Sequence, residues 1–459
     1  MIERTPNFKL IKKMNNKVFL RRMLWLLCLP LLLTACKDSM DEHYEVPDWV
    51  ADNAWEVLSS GEHGNYSIFL QGLEIAGYKQ MLEGKAILTI IAPDDDAFQT
   101  YLNKRGFTSI SDMPVNEVSK LIGYHVLYYS YNKEKLVNFR PTGSTETEEE
   151  QNIKAGLYYK HRTRSSDAPT VETTPTGASV MVYHLERYLP IFSYRYFQTK
   201  GIDAKNNYEA FYPNSTWTGD DGFNVSNASV KEYGIIANNG YIHAVDRVVE
   251  PLETIYTELK NKEKYSTFLD LYDSFGVYVA DDELSKSYAK AYGVDTLYQY
   301  QHGGLPNIAC EWPTSSYLNF TALTALSYSI FAPSNTAINS FFDSFWKIGG
   351  YSSMQEVDAL ALNYFLYQFI YGGSMLFPEE LGDDELKNLA GSSLNINPAA
   401  LNEKTMCVNG ALYGMDEIKE PSTFASVIGP LFQYKSARSF LYALLGSSLF
   451  SSYVSDLSK

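Results

Sequence analysis

The sequence predicts tandem repeats that contain both strands and helices, and two pairs of matching segments support this prediction. Segments 239–251 and 409–421 share Asn-Gly, Asp and Glu-Pro at an offset of 170 residues. Segments 88–98 and 328–338 share an apolar strand that runs into Pro and then into a helix cap, at an offset of 240 residues. Because the two offsets differ, we expect the repeats to carry insertions in different places.

A third motif, an amphipathic helix-like stretch, occurs three times, at 66–77, 265–276 and 439–446. The chain is therefore predicted to contain two full repeats and the opening of a third. Segment 422–459 is too short to bury a core of its own. It is expected either to begin a third repeat or to dock on the second one.

Three segments of the first repeat, taken in order, resemble the sequence boxes of the fasciclin-like domain family. They are segment 89–98, the middle box Tyr124-His125-Val126, and the closing segment 239–251. The resemblance implies an α+β fold in which each domain is a wedge of two small β-sheets with helices packed over one side. It also implies a non-catalytic role in adhesion or extracellular ligand binding.

The second repeat resembles the family less closely, because Gln368 stands at the position of His125 and Tyr413 at that of His243. Both replacements keep hydrogen-bonding ability without an imidazole, which favours a structural role for the box residues. We assign that role to Tyr124, His125, Asn239, Gly240, His243 and Asp246. The Asn-Gly pair is expected to form a tight hairpin turn with positive φ angles.

The spacing of the boxes shows which repeat carries the longer insertion. Tyr124 and Asn239 lie 115 positions apart, whereas Tyr367 and Asn409 lie 42 apart. Such insertions lie on the surface and commonly carry function. The predicted limits are 1–35 for a lipoprotein signal peptide, 36–50 for a tether, 51–251 for domain 1 with an insertion at about 140–230, 252–421 for domain 2 with an insertion at about 277–327, and 422–459 for the C-terminal segment.

The N-terminus has the pattern of a lipoprotein signal. A basic stretch precedes the apolar run 23–33, which is shorter than the roughly 20 residues that span a bilayer. The run ends in Leu33-Thr34-Ala35-Cys36, which resembles a lipobox whose Cys36 is acylated and anchors the protein to a membrane. The acidic tract 37–42 resembles a surface-export signal. We therefore expect an outer-membrane protein that faces the cell exterior, with a periplasmic orientation as the alternative.

The composition restricts the partners. The chain has 38 Lys and Arg against 54 Asp and Glu, a net charge of −16. This balance argues against nucleic acid, because phosphate contacts need clustered basic residues. The chain also holds 36 Tyr, 24 Phe and 6 Trp. Tyr suits wet binding surfaces as well as cores, so the excess of Tyr calls for an explanation.

Many aromatic residues fall in the two insertions. Phe192, Tyr194 and Tyr196 alternate, so on a strand they would share one face. The candidate binding residues for a protein or polysaccharide ligand are Tyr188, Phe192, Tyr194, Tyr196, Tyr212 and Trp217. The alternative is that these rings cover the domain as part of its core. The second insertion adds Tyr288, Tyr292, Tyr298, Tyr300, Trp312 and Tyr317. Polar stretches 142–151 and 163–179 lack apolar periodicity and are expected to be flexible loops.

The sequence contains no motif for hydrolytic, nucleotide-binding or metal chemistry, and its seven His lack ligand spacing. We therefore assign no catalytic residue, metal or cofactor. Within 94–96, at least one Asp is expected to cap a helix. Cys310 and Cys407 are expected to form either a disulfide or two separate buried thiols.

The leading hypothesis is a lipid-anchored surface protein that acts in adhesion or extracellular ligand binding. One alternative is an accessory lipoprotein that holds a glycan near a nutrient importer. A second alternative is a carbohydrate-active hydrolase whose paired carboxylates meet only in the fold. A third is an envelope protein whose insertions contact only neighbouring proteins.

Overall fold

The computed structural model describes the chain from residue 52 to residue 447 with several gaps. The described ranges are 52–137, 159–184, 186–309, 327–372, 374–383, 385–394 and 396–447. The signal peptide, Cys36, the tether, Cys310, Trp312, Tyr317 and the polar stretch 142–151 lie outside these ranges, so the predictions made for them stay predictions. The described residues form one compact unit. None of their helices is long and apolar enough to cross a bilayer.

Strands occur in both repeats and in both insertions. They are β1 (Leu88–Pro93), β2 (Val126–Tyr128), β3 (Tyr159–Ser166), β4 (Thr170–Thr173), β5 (Ser179–Val182), β6 (Glu186–Phe192), β7 (Asn224–Val225), β8 (Ala228–Ala237), β9 (Gly240–Val245), β10 (Gly276–Asp281), β11 (Leu297–His302), β12 (Tyr328–Pro333), β13 (Ile370–Gly372), β14 (Leu401–Cys407) and β15 (Gly410–Met415). Together with the helices they make a mixed architecture, so the predicted α+β class is confirmed.

The helices are mostly short. They are α1 (Ala54–Ser60), α2 (Ser67–Ile75), α3 (Lys79–Glu83), α4 (Asp95–Arg105), α5 (Val115–Tyr124), α6 (Lys133–Val137), α7 (Tyr194–Lys200), α8 (Ala204–Phe211), α9 (Ile255–Lys260), α10 (Ser266–Asp273), α11 (Asp282–Tyr288), α12 (Asn335–Phe341), α13 (Ala359–Tyr367), α14 (Gly429–Gln433) and α15 (Arg438–Leu445). As the sequence predicts, Asp94 caps α4 by accepting from the amide of Ala97 at 3.0 Å.

The two repeats share a strand ladder in the same register. In the first repeat β1 lies parallel to β9, with Leu88 opposite Gly240. In the second, β12 lies parallel to β15, with Tyr328 opposite Gly410. These pairs stand at the same 240 and 170 offsets as the sequence boxes. A Cβ atom on Gly240 would lie 1.9 Å from the carbonyl oxygen of Leu88, so the close approach of the strands requires glycine there.

The hairpin that precedes β9 differs from the expected one. Ala237 pairs with Gly240, so the two turn residues are Asn238 and Asn239, and Gly240 already belongs to the strand. Neither asparagine has a positive φ. The prediction of an Asn-Gly turn with positive φ angles is therefore wrong, because the glycine is needed for its small size beside β1.

The repeats differ in how the shared ladder is completed. In the first repeat, strands β3, β6 and β7 of the insertion join both edges of the ladder and close a barrel in the order β1-β2-β3-β6-β7-β8-β9. In the second repeat the ladder stays a four-stranded sheet in the order β13-β12-β15-β14. The insertion in the first repeat thus completes a closed barrel, which the described strands of the second repeat do not form.

A third sheet joins the two insertions. Hairpin β4–β5 comes from the first insertion and hairpin β10–β11 from the second, and the four strands pair in the order β10-β11-β5-β4. The link is a parallel pairing of Tyr298 with Val182. The prediction of a flexible loop over 163–179 is therefore wrong. Its polar residues form strands because backbone pairing, and not an apolar face, holds them.

The hydrophobic core continues from the first repeat into the second. One cluster of buried side chains runs from Tyr124 and Phe192 of the first repeat and its insertion to Phe331, Trp346 and Tyr413 of the second repeat. The described part of the C-terminal segment, 422–447, packs on the second repeat, where the Trp346 indole donates to the carbonyl of Phe432 at 3.1 Å.

Candidate functional site

Most of the rings proposed as a binding platform lie inside the protein. Tyr188, Phe192, Tyr196 and Trp217 are buried, and Tyr212 is half-buried. Tyr194 alone among the six is exposed, at 38%. The proposed platform is therefore wrong for the four buried residues, and the alternative of a covered core holds for them.

The local structure explains this outcome. The strand β6 ends at Phe192, and α7 begins at Tyr194, so the alternation of rings does not continue on one strand. On the helix, Tyr196 and Phe197 are buried while Tyr194 points outward. A pattern of aromatic residues over so few positions does not distinguish the end of a strand from the first turn of a helix.

The buried rings join the two repeats. Phe377 of the second repeat is fully buried, and its ring centroid lies 6.5 Å from that of Phe192, 5.7 Å from that of Tyr196 and 4.9 Å from that of Phe197. Phe211 adds a fourth ring contact at 5.7 Å. These edge-to-face contacts bury large apolar area and stabilise the packing of the first insertion on the second repeat. We call this group of rings the aromatic junction.

Polar contacts border the aromatic junction. Lys200 lies 2.8 Å from the Glu380 carboxylate, and both side chains are mostly buried. The Asn207 side-chain amide donates to Glu379 at 2.6 Å, and the backbone amide of Asp203 donates to the same carboxylate at 2.9 Å. Helices α7 and α8 are thus fixed to the second repeat by hydrogen bonds as well as by ring packing.

His125 connects three parts of the first repeat. Its Nδ1 lies 2.9 Å from the carbonyl of Leu121, and its Nε2 accepts from the backbone amide of Val249 at 3.1 Å. Its counterpart Gln368 donates to the carbonyl of Tyr364 at 2.9 Å, four residues earlier on its helix. The same contact is therefore made without a titratable group.

His243 also has a counterpart in the second repeat. Its Nδ1 accepts from the amide of Gly234 at 3.1 Å, so Nε2 carries the hydrogen that is donated to the carbonyl of Tyr131 at 3.0 Å. The counterpart Tyr413 donates its hydroxyl to the carbonyl of Leu376 at 2.6 Å. Burial lowers the pKa of both His125 and His243 to about 4.

The remaining box residues make structural contacts too. The hydroxyl of Tyr124 donates to the carbonyl of Tyr188 at 2.9 Å, which links α5 to the insertion. Asn239 accepts from the amide of Ala54 at 2.9 Å and so holds the start of α1. Asp246 accepts from the amide of Ser229 at 2.8 Å.

A cleft of about 450 Å³ lies where the two insertions meet. Hairpin β4–β5 lies on one side, helix α9 on another, and hairpin β10–β11 on a third. Both repeats and both insertions are thus required to form it. The volume is within the range of ligand pockets, roughly 300–1,000 Å³.

Four charged side chains at the inner end of the cleft bind one another. Lys120 lies 2.6 Å from Asp167 and 3.0 Å from Glu253. Arg187 lies 2.9 Å from Glu253 and also pairs with Asp167. Although burial raises the pKa of Asp167, the charges of Arg187 and Lys120 hold it below its usual value. Each carboxylate therefore has two cations, and the group as a whole is neutral.

Three tyrosines line the outer part of the cleft. The ring centroid of Tyr300 lies 5.0 Å from that of Tyr278 and 5.4 Å from that of Tyr256. Asp273 lies behind them and accepts from the Tyr300 hydroxyl at 2.5 Å and from the Tyr256 hydroxyl at 3.3 Å. Because Asp273 accepts from the hydroxyls of Tyr300 and Tyr256, these two rings have fixed positions. Burial raises the pKa of Asp273.

Sequence reasoning named part of this cleft and missed the rest. It included Tyr300 among the rings of the second insertion but did not single out Tyr256 or Tyr278. Tyr278 lies between Val277 and Val279, and such a run of β-branched and aromatic residues indicates a strand. No local signal links Lys120 to Glu253, because they are 133 positions apart.

The described residues contain no cluster of three or more His, Cys, Asp or Glu side chains that could hold a metal ion. Cys407 is buried, and since Cys310 lies outside the described ranges, their pairing stays a prediction.

A comparison with protein-family models matches residues 64–190 to the fasciclin domain. This segment is a fasciclin domain, and the resemblance to the fasciclin-like domain family is confirmed. Domains of this family are cell-adhesion domains that generally lack catalysis, and they support a role in adhesion or ligand binding. Among solved structures, the chain is similar to a FAS1 domain pair from the insect cell adhesion molecule Fasciclin I, with 12% identity over 78% of this chain and 98% of that chain and a TM-score of 0.26. No curated protein matches the sequence.

The aromatic junction predicts a large stability effect from one ring. Replacing Phe377→Ala removes the ring that four others contact, and we expect a loss of about 3–5 kcal/mol in the free energy of unfolding, measured by urea denaturation. The control is Phe440→Ala, since Phe440 is 62% exposed and its removal should cost less than about 0.5 kcal/mol. Equal effects of the two substitutions would contradict the role of the junction.

The buried histidines predict that stability falls in acid. The unfolded chain binds protons at His125 and His243 near pH 6.5, whereas the folded chain does so only near pH 4. Their contribution is thus fully present above pH 6.5 and is lost as the pH falls to 4, on the order of 3 kcal/mol per histidine. We expect His125→Gln to flatten the pH dependence of the urea midpoint and Gln368→His to steepen it. An unchanged slope in His125→Gln would contradict this assignment.

Proposed function

We propose that this chain is a lipid-anchored outer-membrane protein that faces the cell exterior and binds an extracellular ligand without transforming it. The leader and Cys36 support the anchor, and the fasciclin domain supports adhesion or ligand binding. The observation that carries the proposal is the cleft between the insertions. It is concave, it is formed by both repeats, and its walls are fixed by the four-stranded sheet of the two hairpins and by the charged group described above.

A non-catalytic role fits the state of the carboxylates in the cleft. A glycoside hydrolase needs one carboxylic acid that keeps its proton near neutral pH. Asp167 and Glu253 are each paired with both Lys120 and Arg187. The pKa of Asp167 is held low, which is the opposite of what a general acid requires. Burial raises the pKa of Asp273, but this residue does not line the cleft and is held by the hydroxyls of Tyr300 and Tyr256, so the hydrolase is the weaker alternative.

A role as an accessory glycan-binding lipoprotein of a nutrient-uptake system is the second candidate. The observation in its favour is the row of tyrosine rings along the cleft, because aromatic faces stack on the apolar faces of sugars while nearby polar groups meet the hydroxyls. A flat adhesion surface would have no need of such a concave site. A protein partner outside the cell is the rival ligand in this proposal.

The anchor is tested by metabolic labelling of cells with radioactive palmitate. The wild-type chain should take up label, and Cys36→Ser should take up none because the acylated thiol is gone. Cys28→Ser is the matched control, since Cys28 lies in the apolar run and leaves with the signal peptide. Label retained in Cys36→Ser would contradict the anchor.

The orientation is tested by protease treatment of intact cells. A chain that faces the exterior should be degraded while a periplasmic marker stays intact. Protection of the chain under the same conditions would contradict the exterior location and leave the anchor itself unaffected.

A further inference from the structure

We propose that the cleft between the insertions binds an uncharged oligosaccharide segment, with Tyr278 as the stacking ring and Gln299 as a hydrogen-bond partner for a sugar hydroxyl. This inference rests on the proposed function and specifies the ligand class of that same site. Four observations support it: the balance of charge, the unpartnered amide of Gln299, the fixed tyrosine rings and the exposure of Tyr278.

The charged lining of the cleft balances to zero. Lys120, Arg187 and Lys260 provide three cations, and Asp167, Glu172 and Glu253 provide three anions. Burial lowers the pKa of His184, another lining residue, so its imidazole is neutral at pH 7. Since the whole chain is acidic, an anionic polymer would be repelled at long range and would find no surplus of cations in the cleft. A neutral ligand is not repelled by the acidic chain and does not need surplus cations in the cleft.

Gln299 lines the cleft and has a buried side-chain oxygen without a hydrogen-bond partner among the described residues. The residue is 4% exposed, and its Oε1 atom accepts no hydrogen bond from the described residues. An unsatisfied buried amide oxygen costs free energy comparable to a lost hydrogen bond. A ligand hydroxyl that donates to Oε1 would remove this cost, and that supports binding of a hydroxyl-rich molecule over an apolar one.

Tyr278 is suited to stacking because its position is supported and its surface is available. It lies on β10, which pairs only with β11 in the sheet order of the described strands, and its side chain is half-buried. On its inner side the Tyr300 ring supports it at 5.0 Å. Tyr300 is itself held by Asp273. We assign Asp273 as a positioning residue, since it fixes the rings without lining the cleft.

The test is native affinity electrophoresis of the detergent-solubilised full chain. The gels contain neutral polysaccharides (α-glucan, β-glucan, mannan or xylan) or, for comparison, the acidic polygalacturonate and chondroitin sulfate. We expect at least one neutral polysaccharide to retard the chain and neither acidic one to do so. The affinity for an oligosaccharide of the retarding polymer is then measured by titration calorimetry.

The variants separate stacking from hydrogen bonding. Tyr278→Ala and Gln299→Leu should each weaken binding by at least about tenfold, as expected for a central contact. Tyr278→Phe keeps the ring and should bind within about threefold of wild type. The matched control is Tyr434→Ala, which removes a 41% exposed ring outside the cleft and should leave binding unchanged. If Tyr278→Ala fails to fold by circular dichroism, Gln299→Leu and Tyr278→Phe still decide the question.

Three results would overturn the inference: no retardation in any neutral gel, retardation only in the acidic gels, or neutral binding that survives Tyr278→Ala and Gln299→Leu. Each of these leaves the palmitate and protease results untouched, so a lipid-anchored surface protein with another ligand would remain. Conversely, a chain that takes up no palmitate but still binds a neutral polysaccharide would contradict the anchor and support this inference.

Discussion

The contact of the first insertion with Phe377 is the interaction on which the rest of the structure depends. It holds helices α7 and α8 against the second repeat, and the same insertion supplies β3, β6 and β7 to close the barrel of the first repeat. Because the insertion is fixed at both places, its β4–β5 hairpin can pair with the hairpin of the second insertion. The cleft lies where these two hairpins meet, so the first insertion takes part in both the aromatic junction and the cleft.

The two repeats show how the family ladder tolerates different side chains. The backbone carbonyl that His125 or Gln368 contacts lies four residues earlier in both cases. His243 and Tyr413 both donate to the loop that follows the second strand of their ladders. What the fold requires at these positions is a buried donor, and an imidazole is one of several that fit. This explains why the motif is conserved in geometry between the repeats although its residues differ.

The sequence was sufficient for the elements that local chemistry determines. Asp94 and Ser334 cap helices, and the strands 88–93 and 328–333 precede them, so the ladder and its repetition could be predicted. The burial of Tyr196 and Phe197 could not, because it depends on Phe377, about 180 positions away, and no periodicity reports such a contact. The cleft could not be predicted for the same reason: Lys120 meets Glu253, and Tyr298 pairs with Val182, only in the folded chain.

The central claim is that the aromatic junction makes the two repeats one cooperative unit. Differential scanning calorimetry of the chain tests this most directly, because the calorimetric and van't Hoff enthalpies of unfolding are equal only when a unit unfolds in one step. We predict a single transition with an enthalpy ratio near one. Two resolved transitions, or a calorimetric enthalpy close to twice the van't Hoff value, would show that the repeats unfold independently and would contradict the account.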